Sequence, residues 1–196
     1  MHIIGLTGSV GMGKSLTATM LRKMGCAVHS ADAAVHRALG PGGAAVAAVA
    51  ALFPQAHLHK AIDRRILGGL VFGQPEKLRQ LEAILHPLVR AAEEAKIARA
   101  RAAGKKAVVL DIPLLFETDG DQRCDTTLCV TAPAAVQRRR VLSRPGMSAE
   151  KFAQILAAQL PDAEKCRRAD YVIHTGYGRC PVWWQVRGIL WRLKIT

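Results

Sequence analysis

The stretch Ile3-Ile4-Gly5-Leu6-Thr7-Gly8-Ser9-Val10-Gly11-Met12-Gly13-Lys14-Ser15-Leu16 decides the fold. Its first residues form an apolar run that reads as a buried strand, and Leu16-Thr17-Ala18-Thr19-Met20-Leu21 opens a helical pattern. Between them, Gly8 to Ser15 spells G-x-x-x-x-G-K-S, the spacing of a loop that cradles phosphates between a strand and a helix. Glycines let such a loop take positive φ and turn successive N–H groups inward, while the helix N-terminus adds partial positive charge. Lys14 can then reach the β- and γ-phosphates, and the Ser15 hydroxyl can ligate Mg²⁺. Gly8, Gly11, Met12, Gly13, Lys14, Ser15 and Leu16 are therefore expected to surround a nucleoside triphosphate.

The chain has 196 residues, half of them apolar, enough for one α/β domain with an embellishment. The first strand runs straight into the phosphate loop with no signal pattern, and no apolar stretch is long enough to span a membrane, so a cytoplasmic location is expected. Cys26, Cys124, Cys129, Cys166 and Cys180 are odd in number and lack C-x-x-C spacing, which argues against a disulfide framework and against a zinc site. They read as reduced thiols. The net charge of +13 fits nucleic acid, an acidic membrane surface or a polyphosphate substrate equally well. No nucleic-acid motif and little aromatic interleaving accompany the basic stretches, and Val186, Leu190 and Leu193 in the Trp-rich C-terminal segment are spaced as in a docked terminal helix. Neither a nucleic-acid nor a membrane partner is expected. A homo-oligomer is compatible with the sequence.

Short apolar segments at Ile3 to Leu6, Ala27 to Val28, Ala107 to Leu110, Thr127 to Val130 and Tyr171 to Ile173 alternate with helical patterns, the rhythm of a five-stranded parallel sheet. The interval from about Ala44 to Arg101 differs: it carries helical periodicity and no convincing strand, and reads as a helical insertion between the second and third strands. Its last helix ends at Ala103-Gly104-Lys105. His86-Pro87, taken by itself, reads as a helix stop with an incidental histidine.

Ligands of open α/β sheets bind beyond the carboxyl ends of the strands. Asp32 lies just past the second strand, where its carboxylate could orient and deprotonate an attacking hydroxyl; it also stands where a helix N-cap would, before Ala33-Ala34-Val35-His36. Asp111 closes the third strand in the manner of a metal-facing aspartate near Ser15. Ile112 rather than glutamate follows it, with Glu117 only later, so activation of water is poorly supported. A GTPase is disfavoured too, because the chain contains no asparagine and so no Asn-Lys-x-Asp guanine reader. Transfer of a phosphoryl group to a hydroxyl remains. Arg138, Arg139, Arg140 and Arg144 begin a helical segment that breaks at Pro145-Gly146, a candidate lid whose guanidinium groups suit phosphate oxygens.

Taken together, these residues resemble the dephospho-CoA kinases, P-loop kinases that phosphorylate the ribose 3′-hydroxyl of dephospho-CoA in the last step of coenzyme A synthesis. The resemblance runs through Gly5 to Ser15, Ala31-Asp32, Asp63 to Gly68 with Val71-Phe72, Leu81 to Pro87 and Asp111 to Glu117, then Gln137 to Arg144, Gln159-Leu160-Pro161, Lys165 and Ala169 to Ile173. It implies ATP with Mg²⁺ as donor, Asp32 as base, Lys14, Arg140 and Arg144 on the phosphates, Ser15 and Asp111 at the metal, and Arg64, His86, Pro113 and Leu114 toward the substrate. The implied architecture is a three-layer P-loop kinase fold: a core of residues 1–43, 106–137 and 151–196, a helical substrate domain of 44–105, and a lid of 138–150. A nucleoside monophosphate or another small alcohol as acceptor is the competing reading. Three departures stand out: Ser30 where the family often has an aspartate, Pro145 where a polar residue is usual, and His174-Thr175-Gly176 in place of an Asn-containing turn.

Overall fold

The computed structural model describes residues 1–195. The chain runs β1 (His2–Thr7), α1 (Lys14–Lys23), β2 (Ala27–Ser30), α2 (Ala31–Leu39), α3 (Val46–Leu52), β3 (His57–Leu58), β4 (Ala61–Ile62), α4 (Arg64–Val71) and α5 (Pro75–Ala102). It continues through β5 (Ala107–Asp111), β6 (Thr126–Thr131), α6 (Ala134–Leu142), α7 (Ala149–Ala157), α8 (Asp162–Arg168), β7 (Tyr171–His174) and α9 (Arg179–Arg192). Five strands form one sheet in the order β2-β5-β1-β6-β7. β1 pairs in parallel with β5 on one side and β6 on the other, and β6 pairs in parallel with β7. The strand order reverses around β1, so the crevice beyond its carboxyl end is where a ligand of such a sheet sits.

Two compact units are distinguishable, one of Met1–His29 with Arg99 to the C-terminus, the other of Ser30–Ala98. In the first, alternate strand residues bury on opposite faces. Ile4, Leu6, Val109, Leu128 and Val130 share a core with Ala18 and Leu21 of α1 and with Val182, Val186 and Leu190 of α9. The other face holds Cys129, whose thiol lies 3.9 Å from that of Cys166 on α8. Burial, above all, pushes the Cys129 thiol well above its ordinary pKa, so it is a packing group rather than a reactive thiolate. In the second unit Leu39, Val49, Phe53, Ile62, Leu67, Leu81 and Leu85 make a separate core.

The sequence expectation needs three corrections. The helical insertion does contain strand: β3 and β4 pair antiparallel, His57 opposite Ile62 and Leu58 opposite Ala61. His59 and Lys60 form the two-residue turn with φ of 47° and 63°, a turn normally announced by Asn-Gly, which is missing here. His86-Pro87 stops nothing, because Pro87 lies inside α5. Both residues are exposed, and the helix continues unbroken into the Ala-rich run from Ala91, where strong helix formers outweigh the lost bond. Arg138, Arg139 and Arg140 lie late in α6 rather than at a helix start, and Arg144 falls beyond its end.

A buried cation fixes α8. The Lys165 side chain is fully buried, its Nζ 2.7 Å from Glu117 Oε1, and it donates to the Pro113 carbonyl at 3.0 Å. Glu117 Oε1 also accepts from the Leu160 amide at 2.9 Å. Removing one partner leaves the other charge buried and alone. Lys165→Ala is expected to lower unfolding stability by about 3–5 kcal/mol in denaturant titration, whereas the paired change Lys165→Met with Glu117→Leu recovers part of that loss.

Candidate active site

The phosphate loop follows directly on β1, and its glycines answer to their neighbours. Gly8 has φ of 148°, and a Cβ there would lie 2.4 Å from Val130 Cγ2. Gly13, left-handed at φ 94°, turns the chain into α1, and its missing Cβ would lie 2.9 Å from Thr175 Oγ1. No side chain caps α1, so its first-turn N–H groups remain available to an anion. Lys14 extends to β5, its Nζ 2.6 Å from Asp111 Oδ1. Ser15 is exposed at the start of the same helix.

The loop makes few bonds to itself and is held from outside. At Val10, the amide donates to Gln159 Oε1 at 3.2 Å and the carbonyl accepts from Gln137 Nε2 at 2.8 Å. Met12 is buried, its sulfur accepting from the Ala132 amide at 3.1 Å and its carbonyl from Thr175 Oγ1 at 2.6 Å. The same Thr175 hydroxyl accepts from Arg140 Nη1 at 2.9 Å, while Arg140 Nη2 donates to the Thr175 carbonyl at 2.7 Å. Arg140 Nη1 also lies 3.4 Å from the Gly11 carbonyl. Arg140 is thus anchored on the edge of the loop, whereas Arg138, Arg139 and Arg144 are exposed. The Pro113 carbonyl accepts from Thr7 Oγ1 at 3.1 Å as well as from Lys165, which leaves Leu114 exposed beside it.

The second unit carries Asp32, Arg64 and His86. The capping expectation for Asp32 is corrected: Ser30 is the N-cap of α2, accepting from the Ala33 amide at 3.3 Å, and Asp32 is exposed within the first turn. A serine oxygen suffices for that cap, leaving the carboxylate out of it. Arg64 opens α4 with Nη1 3.0 Å from His36 Nδ1. Asp63 caps α4 through the Arg65 and Ile66 amides, and the Ile66 bond first of all holds its carboxyl below the usual range. His86 is exposed on α5.

Within the first unit, then, the phosphate loop, Asp111, Pro113 and Arg140 gather beyond the carboxyl ends of the central strands. Gln137, Gln159 and Thr175 were not singled out as site residues from sequence. Gln137 and Thr175 are buried polar groups that serve the loop, and their separations along the chain gave no local signal.

A dephospho-CoA kinase family model, CoaE, matches residues 2–178. The chain belongs to the dephospho-CoA kinase family. A dephospho-CoA kinase of Rhodospirillum rubrum is 54% identical over 180 residues, covering 91% of this chain and 85% of that one. The solved structure of TT1252 from Thermus thermophilus superposes with a TM-score of 0.86 at 38% identity, covering 98% and 97% of the two chains. The dephospho-CoA kinase of Campylobacter jejuni, at 24% identity and a TM-score of 0.71, shares the fold across 97% of this chain and 96% of its own.

In this dephospho-CoA kinase sequence, Thr175 takes a structural part, linking Arg140 to the loop. Thr175→Val removes the buried donor to the Met12 carbonyl, whose loss costs about 1–3 kcal/mol, together with the half-buried acceptor for Arg140. The KM for ATP is expected to rise about tenfold or more in steady-state kinetics, with a smaller fall in kcat, because a distorted cradle weakens ground-state binding first.

Proposed function

We propose that the chain transfers the γ-phosphoryl group of ATP to the ribose 3′-hydroxyl of dephospho-CoA. The 2.6 Å contact of Lys14 with Asp111 carries the reading: it brings a phosphate-binding lysine and a strand-end carboxylate to one point at the start of α1. On ATP entry Lys14 exchanges Asp111 for the β/γ-phosphate oxygens, while the loop amides from Gly8 to Leu16 take the remaining oxygens. Ser15 and Asp111 offer an all-oxygen donor pair that fits Mg²⁺, and a bound Mg²⁺ neutralises charge on the β- and γ-phosphates.

Asp32 accepts the proton of the 3′-hydroxyl as the phosphoryl group leaves ATP. Arg140, already braced against the loop, and Arg144, on the lid of residues 138–150, stabilise charge on the transferred group, and lid closure excludes water. The helical domain of residues 44–105 receives dephospho-CoA through Arg64 and His86, with Pro113 and Leu114 contributing from the core of residues 1–43, 106–137 and 151–196. Glu117, the carboxylate that could otherwise activate water, is committed to Lys165 and the Leu160 amide. Phosphoryl transfer to an alcohol is therefore favoured over hydrolysis. Such an enzyme works in the cytoplasm.

Mass-resolved detection of coenzyme A formed from ATP and dephospho-CoA tests donor, acceptor and position together. Asp32→Asn is expected to lower kcat by about 10²- to 10⁴-fold with ATP affinity nearly unchanged. Unaltered turnover removes Asp32 from the mechanism, and ATP consumption with nucleoside monophosphates but not with dephospho-CoA replaces the acceptor.

A further inference from the structure

α9 starts immediately after the stretch that the family model matches, and it has two unlike sides. Val182, Val186, Ile189 and Leu190 are buried in the sheet core, as a docked terminal helix requires. At 100° per residue the opposite side carries Trp184, Arg187 and Trp191, all within one narrow stripe. Trp184 is 58% exposed and Trp191 is 73% exposed. The Arg187 guanidinium stacks over the Trp184 ring at 5.3 Å from its centroid. These two indoles, about 10 Å apart along the helix, contribute nothing to the core.

Charge on this part of the chain has one sign. Residues 171–196 contain no aspartate or glutamate, and Arg179, Arg187, Arg192 and Lys194 are all exposed. We infer that the outward side of α9 rests on the surface of an anionic lipid bilayer, with Trp184 and Trp191 at the headgroup level and the flanking cations on lipid phosphates. Tryptophan favours that layer because its ring is apolar and its N–H seeks a polar partner. A helix lying in the interface with aromatic residues below and basic residues beside them uses both attractions at once. The contact is peripheral, since no helix among the described residues is long and apolar enough to cross a membrane.

Two other occupants fit less well. A second copy of the chain would set Arg187 and Arg192 against their own equivalents, with no aspartate or glutamate among residues 171–196 to pair them. Single-stranded nucleic acid needs free aromatic faces for stacking, and Arg187 already covers one face of Trp184.

Cosedimentation of the full chain with vesicles of phosphatidylcholine alone, and with about one third phosphatidylglycerol, tests the assignment, with tryptophan emission followed in parallel. Binding to the anionic vesicles only, a blue shift of emission, and release by salt are the expected results. Trp184→Ala with Trp191→Ala is expected to weaken partitioning at least about tenfold, and Arg187→Gln about fivefold, with unchanged thermal unfolding because these side chains are exposed. Failure to bind anionic vesicles at low salt, or equal binding by the double variant, overturns the inference. So does Trp-dependent dimerisation in analytical ultracentrifugation, which assigns the stripe to a second copy, or Trp-dependent binding of single-stranded oligonucleotides tighter than that of vesicles.

Discussion

The phosphate loop is the constraint on which the catalytic unit depends, and it cannot hold its own shape. A stretch rich in glycine loses more conformational freedom on ordering than any other and has few side chains with which to recover it. Its neighbours supply the order. Val130 packs where Gly8 has no Cβ, Gln137 and Gln159 grip the two sides of the Val10 peptide, and Thr175 binds the Met12 carbonyl. These partners come from β6, α6, the end of α7 and the end of β7, so the loop is assembled only when the sheet is complete.

This dependence has a mechanical side. Gln137 lies within α6 and Gln159 just past α7, and the segment from Arg138 to Glu150 runs from the second half of α6 into the start of α7. Both converge on Val10, so any displacement of that segment is felt at the same peptide group. Arg140 adds a third tie, through Thr175 to Met12. The arginine segment and the phosphate loop are thus joined by short hydrogen bonds at Val10 and Met12.

What could be read from the sequence follows the range of the forces involved. The strand, phosphate loop and helix from Ile3 to Leu21 are local, so their residues announce them directly. The strand-end position of Asp111 was equally plain, whereas its contact with Lys14 was not read from the sequence. The β3–β4 hairpin was invisible because His59 and Lys60 adopt positive φ without the glycine or asparagine that normally signals it. Pro87 misled because helix breaking was weighed without the strong helix formers downstream. Ser30 showed as a departure from a family pattern, but its capping of α2 depends on an angle that spacing does not reveal. The grip of Gln137 and Gln159 on Val10 joins residues more than a hundred positions apart, beyond any periodicity.

The pairing of Lys14 with Asp111 leaves the innermost part of the cradle close to electroneutral before any nucleotide arrives. The long-range pull on an incoming polyanion then originates farther out, in exposed guanidinium groups such as those of Arg138 and Arg139. Capture and chemistry thus draw on different cations. Ionic strength, which screens the outer set far more than the inner one, should slow encounter while leaving the committed complex almost untouched.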